Sequence, residues 1–326
     1  MLTCYSLSHN RLIEIAELPR SDEVGAVVWI DLLSPSPEED TWVETFLGVN
    51  IPSQAEMEEI ELSDRLYREA GAEFMTLTAL AKLDSLAPFK TPVTLILKNS
   101  VLVTARYAEL KPFAAYLGRA KRESSVPCEN GELILFGILE ALIDRIADAL
   151  EQIGNQVDVV ARNVFEQRDS SAKSQQHDLE AVIKEIGRKS ELLTMIQESL
   201  VSVARVATFH TPQSGATPSP GVGQMQILVD RDAASLGDHA RALSGRMSFL
   251  LDATLGLINL QQNQIIKIVS VAALVFLPPT LVASIYGMNF HNIPELAWYY
   301  GYPLALGVMV LTAVLPYLYF KKRGWL

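Results

Sequence analysis

The sequence predicts an α/β domain, a long helical stalk and a two-helix transmembrane domain, and three observations predict it. Short β-prone runs alternate with short helical patterns up to about residue 130. Beyond it, apolar residues recur every three or four positions through segments far longer than ordinary globular helices. Near the C-terminus, two stretches lose their charges for long enough to cross a bilayer.

The N-terminal region reads as mixed helix and strand. Strands are expected at Leu2 to Leu7, Val27 to Ile30, Glu73 to Leu83, Val93 to Lys98 and Val101 to Arg106, the last two joined as a hairpin through Asn99 and Ser100. Helices are expected at Pro37 to Leu47, Ser53 to Glu61 and Pro112 to Arg122, each opened by Pro or Ser. The acids Glu56, Glu58, Glu59 and Glu61 form a solvated face, with no nucleophile or base beside them. Cys4 and Cys128, the two cysteines, lie far apart without a CxxC spacing, so both are expected reduced and structural. The first residues lack a basic run followed by an apolar core, so no signal peptide is expected and the first 260 residues stay in the cytoplasm.

From Gly131 the pattern becomes helical. Leu133 to Glu166 carries apolar residues at 135, 138, 139, 142, 146, 149, 150, 153 and 157, and a second long helix runs from about Ser174 to Phe209. His210 to Gly221, rich in Pro, Gly and Ser, forms a loop. Gln224 to Ile285 then reads as one helix of about 60 residues, on the order of 90 Å long. Its leucines 236, 243, 250 and 257 recur at intervals of seven.

Charge divides the chain. Beyond residue 263 stand one acid, Glu295, and four bases, Lys267, Lys321, Lys322 and Arg323; the remainder holds 23 bases against 37 acids, a net −14. An acidic body argues against nucleic acid and suits one that meets divalent metal ions. The chain has no HExxH, no phosphate-binding Gly-rich loop and no GxSxG, so an enzyme is not expected.

Ile268 to Ile285 holds no charge in 18 residues. Its three hydroxyl residues, Ser270, Thr280 and Ser284, fall on one face that extends through Asp252, Gly256, Asn259, Asn263, Ile266, Ala273 and Leu277. A face mixing amides, hydroxyls and aliphatics on a helix otherwise suited to lipid predicts the lining of a narrow aqueous path. Pro278 and Pro279 interrupt its hydrogen bonding. The second span, Tyr302 to Phe320, has no such stripe and is expected to face lipid. Aromatics at both of its ends, and Lys321, Lys322 and Arg323 beyond it, place both termini inside. One lining helix per chain cannot enclose a path, so several copies must surround an axis.

The pattern FLPPTLVASIYGMNF from Phe276 to Phe290, the Pro294-Glu295-Leu296 loop, Gly301 to Pro303 and the terminal YFKKRGWL closely resemble the CorA family of magnesium transport proteins. The resemblance is dense over about the last 75 residues; upstream only the architecture matches. It implies a funnel-shaped homopentamer of the inner membrane, with transported and regulatory Mg²⁺, and Gly287, Met288 and Asn289 as the selectivity filter. Asn263 and Thr280 would then be polar pore rings, Ile266 and Leu277 apolar gates, and Asp252 and Asn259 the exit. Arg231-Asp232 resembles the family's regulatory Arg-Asp pair, with Asp230 as an alternative acid. The expected divisions are 1–130 (α/β), 131–223 (helical hairpin), 224–264 (stalk), 265–286 (first span), 287–300 (outer loop), 301–320 (second span) and 321–326 (basic tail). Co²⁺ or Ni²⁺ passage beside Mg²⁺ is compatible with the resemblance. A zinc or other transition-metal transporter of the same superfamily is the alternative, against which Met288 stands.

Overall fold

The computed structural model describes residues 1–15, 27–85, 87–122, 126–165, 172–210, 221–289 and 298–324, and the chain divides into two compact units. The first comprises Met1–Arg168 and Ala181–Leu250, the second Asp169–Glu180 and Leu251–Leu326.

The first unit is built on a seven-stranded sheet. Its strands are β1 (Leu2–Ser8), β2 (Arg11–Glu14), β3 (Val27–Leu33), β4 (Leu66–Glu69), β5 (Ala72–Ala81), β6 (Phe89–Lys98) and β7 (Val101–Arg106), in spatial order β2-β1-β3-β7-β6-β5-β4. All pairings are antiparallel except β3 with β7, where Trp29 stands opposite Leu102. Three hairpins turn on two residues of positive φ: His9 and Asn10, Ala70 and Gly71, Asn99 and Ser100. Their left-handed backbone matches the twist of the strands they join. The expected Asn99-Ser100 hairpin is therefore present. β2 and β4 were not expected; both are four residues long and half charged, which hides any alternation.

β6 begins at Phe89 rather than at Val93, and so contains Pro92. Pairing with β7 ends at Val93 opposite Arg106, so the N–H that Pro92 lacks has no partner to lose on that side. Inside the sheet, Asp31 binds Arg106 through both carboxylate oxygens and accepts from the Thr104 hydroxyl, which itself accepts from the Trp29 indole. The buried ion pair is thereby fully hydrogen-bonded.

α1 (Pro37–Leu47) starts on a capping box between Ser36 and Glu39 and stops at Gly48 with φ 64°. Of the helix expected over Ser53 to Glu61 a single turn, α2 (Gln54–Met57), is present, and a second single turn, α3 (Leu62–Arg65), follows beyond that range. Ser53 and Glu56 cap the first, but only Met57 is buried, so no apolar face carries a helix through Glu58, Glu59 and Glu61. α4 (Lys111–Arg122) packs on α5 (Gly131–Phe165), where an added Cβ at Gly137 would meet the Tyr116 ring at 2.3 Å.

Every apolar position expected on α5 from Leu135 to Val157 is buried, and Val160 and Val164 continue the face. α6 (Ala172–Phe209) buries Val182, Ile186, Leu193, Ile196, Leu200, Val203 and Val206. Its Ser202 hydroxyl accepts from the Thr78 backbone N–H at 3.0 Å, covering part of β5 that β4 does not reach. Within the first unit, α7 (Val222–Tyr286) buries Val229, Ala233, Ala240, Leu243, Met247 and Leu250, a spacing of four and three. The second unit contains the remainder of α7 and α8 (Gly301–Lys322).

Candidate functional site: one face of α7

α6, α7 and α8 each contain a stretch long and apolar enough to cross a membrane. In α6, 44% of that stretch is buried within the chain, against 6% in α7 and in α8. The apolar face of α6 already has a protein partner, whereas the apolar stretches of α7 and α8 are largely uncovered among the described residues of a single chain.

All ten positions of the expected lining face, Asp252, Gly256, Asn259, Asn263, Ile266, Ser270, Ala273, Leu277, Thr280 and Ser284, are exposed. Exposure alone does not single them out, because most of this part of α7 is exposed. The residues that are covered do: Val271, Val275, Pro278, Pro279, Val282 and Tyr286 form a separate stripe. At about 100° per residue, that stripe stands about 170° from the centre of the hydroxyl face between Ser270 and Ser284. The intrachain contacts of α7 in this segment therefore leave the polar face open.

The Thr280 hydroxyl donates to the Phe276 carbonyl at 2.7 Å, keeping its oxygen lone pairs as acceptors. Ile266 and Leu277 are exposed by 60% and 67%, too much for an intrachain core role. α7 closes with the Gly287 N–H on the Ala283 carbonyl at 2.9 Å and Met288 N–H on Ile285 at 3.3 Å. A Cβ at Gly287 would stand 3.1 Å from the Ala283 carbonyl, so the helix end is tight there. Met288 and Asn289 follow, both exposed. Phe290 to Leu296, with His291 and Glu295, and the terminal Trp325-Leu326 lie outside the described residues.

Asp230 and Asp232 are not brought together. Asp230 is exposed; Asp232, two residues on, is half-buried beside Ala233 and pairs with Arg231 at 3.0 Å. Asp232 faces α5: burial pushes the Asp144 carboxyl up, Arg119 opposes this, and the negative charges of Asp148 and Asp232 add to it. Among the described residues, no three His, Cys, Asp or Glu side chains converge as a metal site within one chain.

An α/β body continued by very long helices into two exposed apolar helices, one striped with hydroxyls and amides, defines a class of membrane-associated protein rather than a soluble enzyme. The particular family follows from comparison with known proteins. Residues 24–322 match the CorA-like Mg²⁺ transporter protein family. The chain is 36% identical over 330 residues to the magnesium transport protein CorA of Escherichia coli K12, and 34% identical over 327 residues to that of Yersinia pseudotuberculosis; both alignments cover 100% of each chain. Among solved structures, the complete CorA magnesium transporter of Methanocaldococcus jannaschii superposes with a TM-score of 0.77 at 19% identity, covering 100% of this chain and 99% of that one. The full-length CmaX protein gives 0.68 at 15%, over 100% and 98%. These two likenesses concern the fold. The chain belongs to the CorA family.

Proposed function

We propose that this chain is a magnesium transporter that lets hydrated Mg²⁺ flow passively into the cell through a pore formed by a homopentamer. Membership of the CorA family and the magnesium transport named for its full-length relatives support the ion. The observation that carries the route is the open polar face of α7, ending in Gly287, Met288 and Asn289, on the side away from the intrachain contacts. Copies arranged about an axis turn those faces inward and bury them against water instead of lipid.

Each residue then has a physical role. A ring of Asn289 amides holds hydrated Mg²⁺ through its waters, because this ion dehydrates reluctantly and neutral oxygens do not trap it as carboxylates would. Gly287 lets backbone approach the axis, and Met288 packs. Thr280 and Asn263 form polar rings, Leu277 and Ile266 apolar collars that close by dewetting, and Asp252 and Asn259 the exit. No fuel is required: a divalent ion crossing 100 mV gains about 4.6 kcal/mol.

The same reading makes residues 1–130 a cytoplasmic α/β domain, 131–223 a helical hairpin and 224–264 the stalk. Residues 265–286 and 301–320 are the spans, 287–300 the outer loop and 321–326 a basic cytoplasmic tail. The chain resides in the inner membrane with both termini inside. Mg²⁺ binding at the cytoplasmic acids of neighbouring chains shuts the pore, with Asp232 or Asp230 as a ligand. The charge that Asp144, Asp148 and Asp232 accumulate is what such a cation relieves.

Mg²⁺ uptake into liposomes containing the wild type or Asn289→Ala tests the route. The variant should lose at least about tenfold in uptake, more than 1.4 kcal/mol of pore stabilisation. Unchanged uptake with unchanged ion preference excludes Asn289 as the filter.

A further inference from the structure

Outside the pore, the first unit buries a histidine whose hydrogen bonding is complete in only one charge state. His210, at the end of α6, is 2% exposed. Its Nδ1 lies 2.7 Å from Glu73 Oε2 on β5; a carboxylate can only accept, so Nδ1 carries the proton. In the neutral ring Nε2 is then a bare acceptor. Nε2 is buried, has no hydrogen-bond partner among the described residues, and faces Glu132 Oε1 of α5 at 3.9 Å. Two acceptors therefore face each other.

Arg68 on β4 gives two N–H bonds to the second oxygen of Glu73, at 2.8 and 3.1 Å. Phe136 of α5 presents to the ring at 5.6 Å between centroids, and α7 contributes a neutral side chain, Gln226. The Gln226 amide donates to the carbonyls of Ala207 and His210 at 2.6 and 3.3 Å, so the first turn of α7 is tied to the backbone that carries the imidazole.

We infer that His210 is a proton-binding site that couples cytoplasmic pH to α7. Protonation at Nε2 replaces an acceptor-acceptor contact by a donor aimed at Glu132, drawing the first turn of α5 and the last turn of α6 together. Gln226 passes the displacement to the helix that also carries the proposed pore face. The coupling to the pore rests on the transport reading; the proton site itself does not.

The test therefore has two arms. Hydrogen exchange on the full-length protein in detergent, corrected for intrinsic rates, should show protection of residues 131–137 and 205–210 rising about fivefold from pH 8 to pH 6. His210→Gln, which keeps a donor toward Glu73 but cannot charge, should abolish the rise. So should Glu132→Gln, which leaves His210 and Glu73 in place should the first variant misfold. An equal rise in both variants, or none in the wild type, overturns the site. In proteoliposomes, the internal Mg²⁺ concentration that halves uptake should move about fivefold between pH 8 and pH 6 in the wild type and stay fixed in His210→Gln. A pH-dependent exchange with an unmoved concentration overturns the coupling to α7. Exchange is read without transport, so it decides the proton site even if the chain carries no Mg²⁺.

Discussion

Gly131 shows how a single hydrogen atom sets a junction. Its N–H donates to the Ser100 carbonyl at 2.6 Å, and a Cβ would lie 2.5 Å from the Leu102 nitrogen and 2.7 Å from the Val101 carbonyl carbon. Those are backbone atoms of the hairpin, not the ends of flexible side chains. Gly131→Ala should cost about 1–3 kcal/mol, read as a lowered thermal midpoint of the full chain. A midpoint within a degree of the wild type would show that α5 can slide from the hairpin freely. The two thiols give a pH-dependent prediction. Burial pushes Cys4 and Cys128 each from 9.0 up to about 11, with the Glu129 charge adding to the second. The unfolded chain ionises them near the lower value while the folded chain holds the protons, so stability should decline as pH rises from 9 toward 11. Cys4→Ala and Cys128→Ala should flatten the decline in chemical-denaturation midpoints. Iodoacetamide at pH 7.5 should label neither thiol on the timescale at which it labels the denatured protein.

On α7 the element-level arithmetic is clearest. The sequence displays leucines at 236, 243, 250 and 257, one half of a heptad. The other half, Ala233, Ala240 and Met247, is fully buried, whereas of the leucines only Leu243 and Leu250 are, Leu236 and Leu257 being half-buried; two alanines and a methionine do not stand out from an apolar helix. Leu243→Ala should cost about 2–5 kcal/mol by leaving a cavity, whereas Leu260→Ala, at a position 66% exposed in the single chain, should change monomer stability little. Comparable losses in denaturant titrations would contradict that division. Long helices were legible because their period persists over many turns. β2 and β4 were not, since four residues hold only two cycles of alternation; the signals available were the turn residues Asn10 and Gly71. Glu58 to Glu61 misled in the opposite direction: good helix formers without an apolar stripe give no helix there.

For the whole molecule, the candidate pore was readable as a stripe and its mouth as a motif, since both are local patterns. Its closure was not, because one chain supplies one wall at most, and in the proposed assembly copies of the chain supply the others. Native mass spectrometry in detergent should return five subunits; another stoichiometry would remove the pentameric geometry while leaving the lining face in question open to a different ring. The separation of Asp230 from Asp232 carries a related expectation. If regulatory Mg²⁺ is held between chains, Asp230→Ala with Asp232→Ala should raise the internal Mg²⁺ needed for inhibition by about fivefold or more, without altering ion preference. Unchanged inhibition would place the sensor elsewhere.

The sheet also constrains when the body can form. β3 leaves the N-terminal hairpin at Leu33 and finds its other neighbour only at β7, Trp29 meeting Leu102 in parallel. During synthesis, residues 2–33 must wait with one strand edge unsatisfied until some seventy more have left the ribosome. A nascent chain stalled before residue 101 should consequently be protease-sensitive throughout its N-terminal third, and one released past α5 should not.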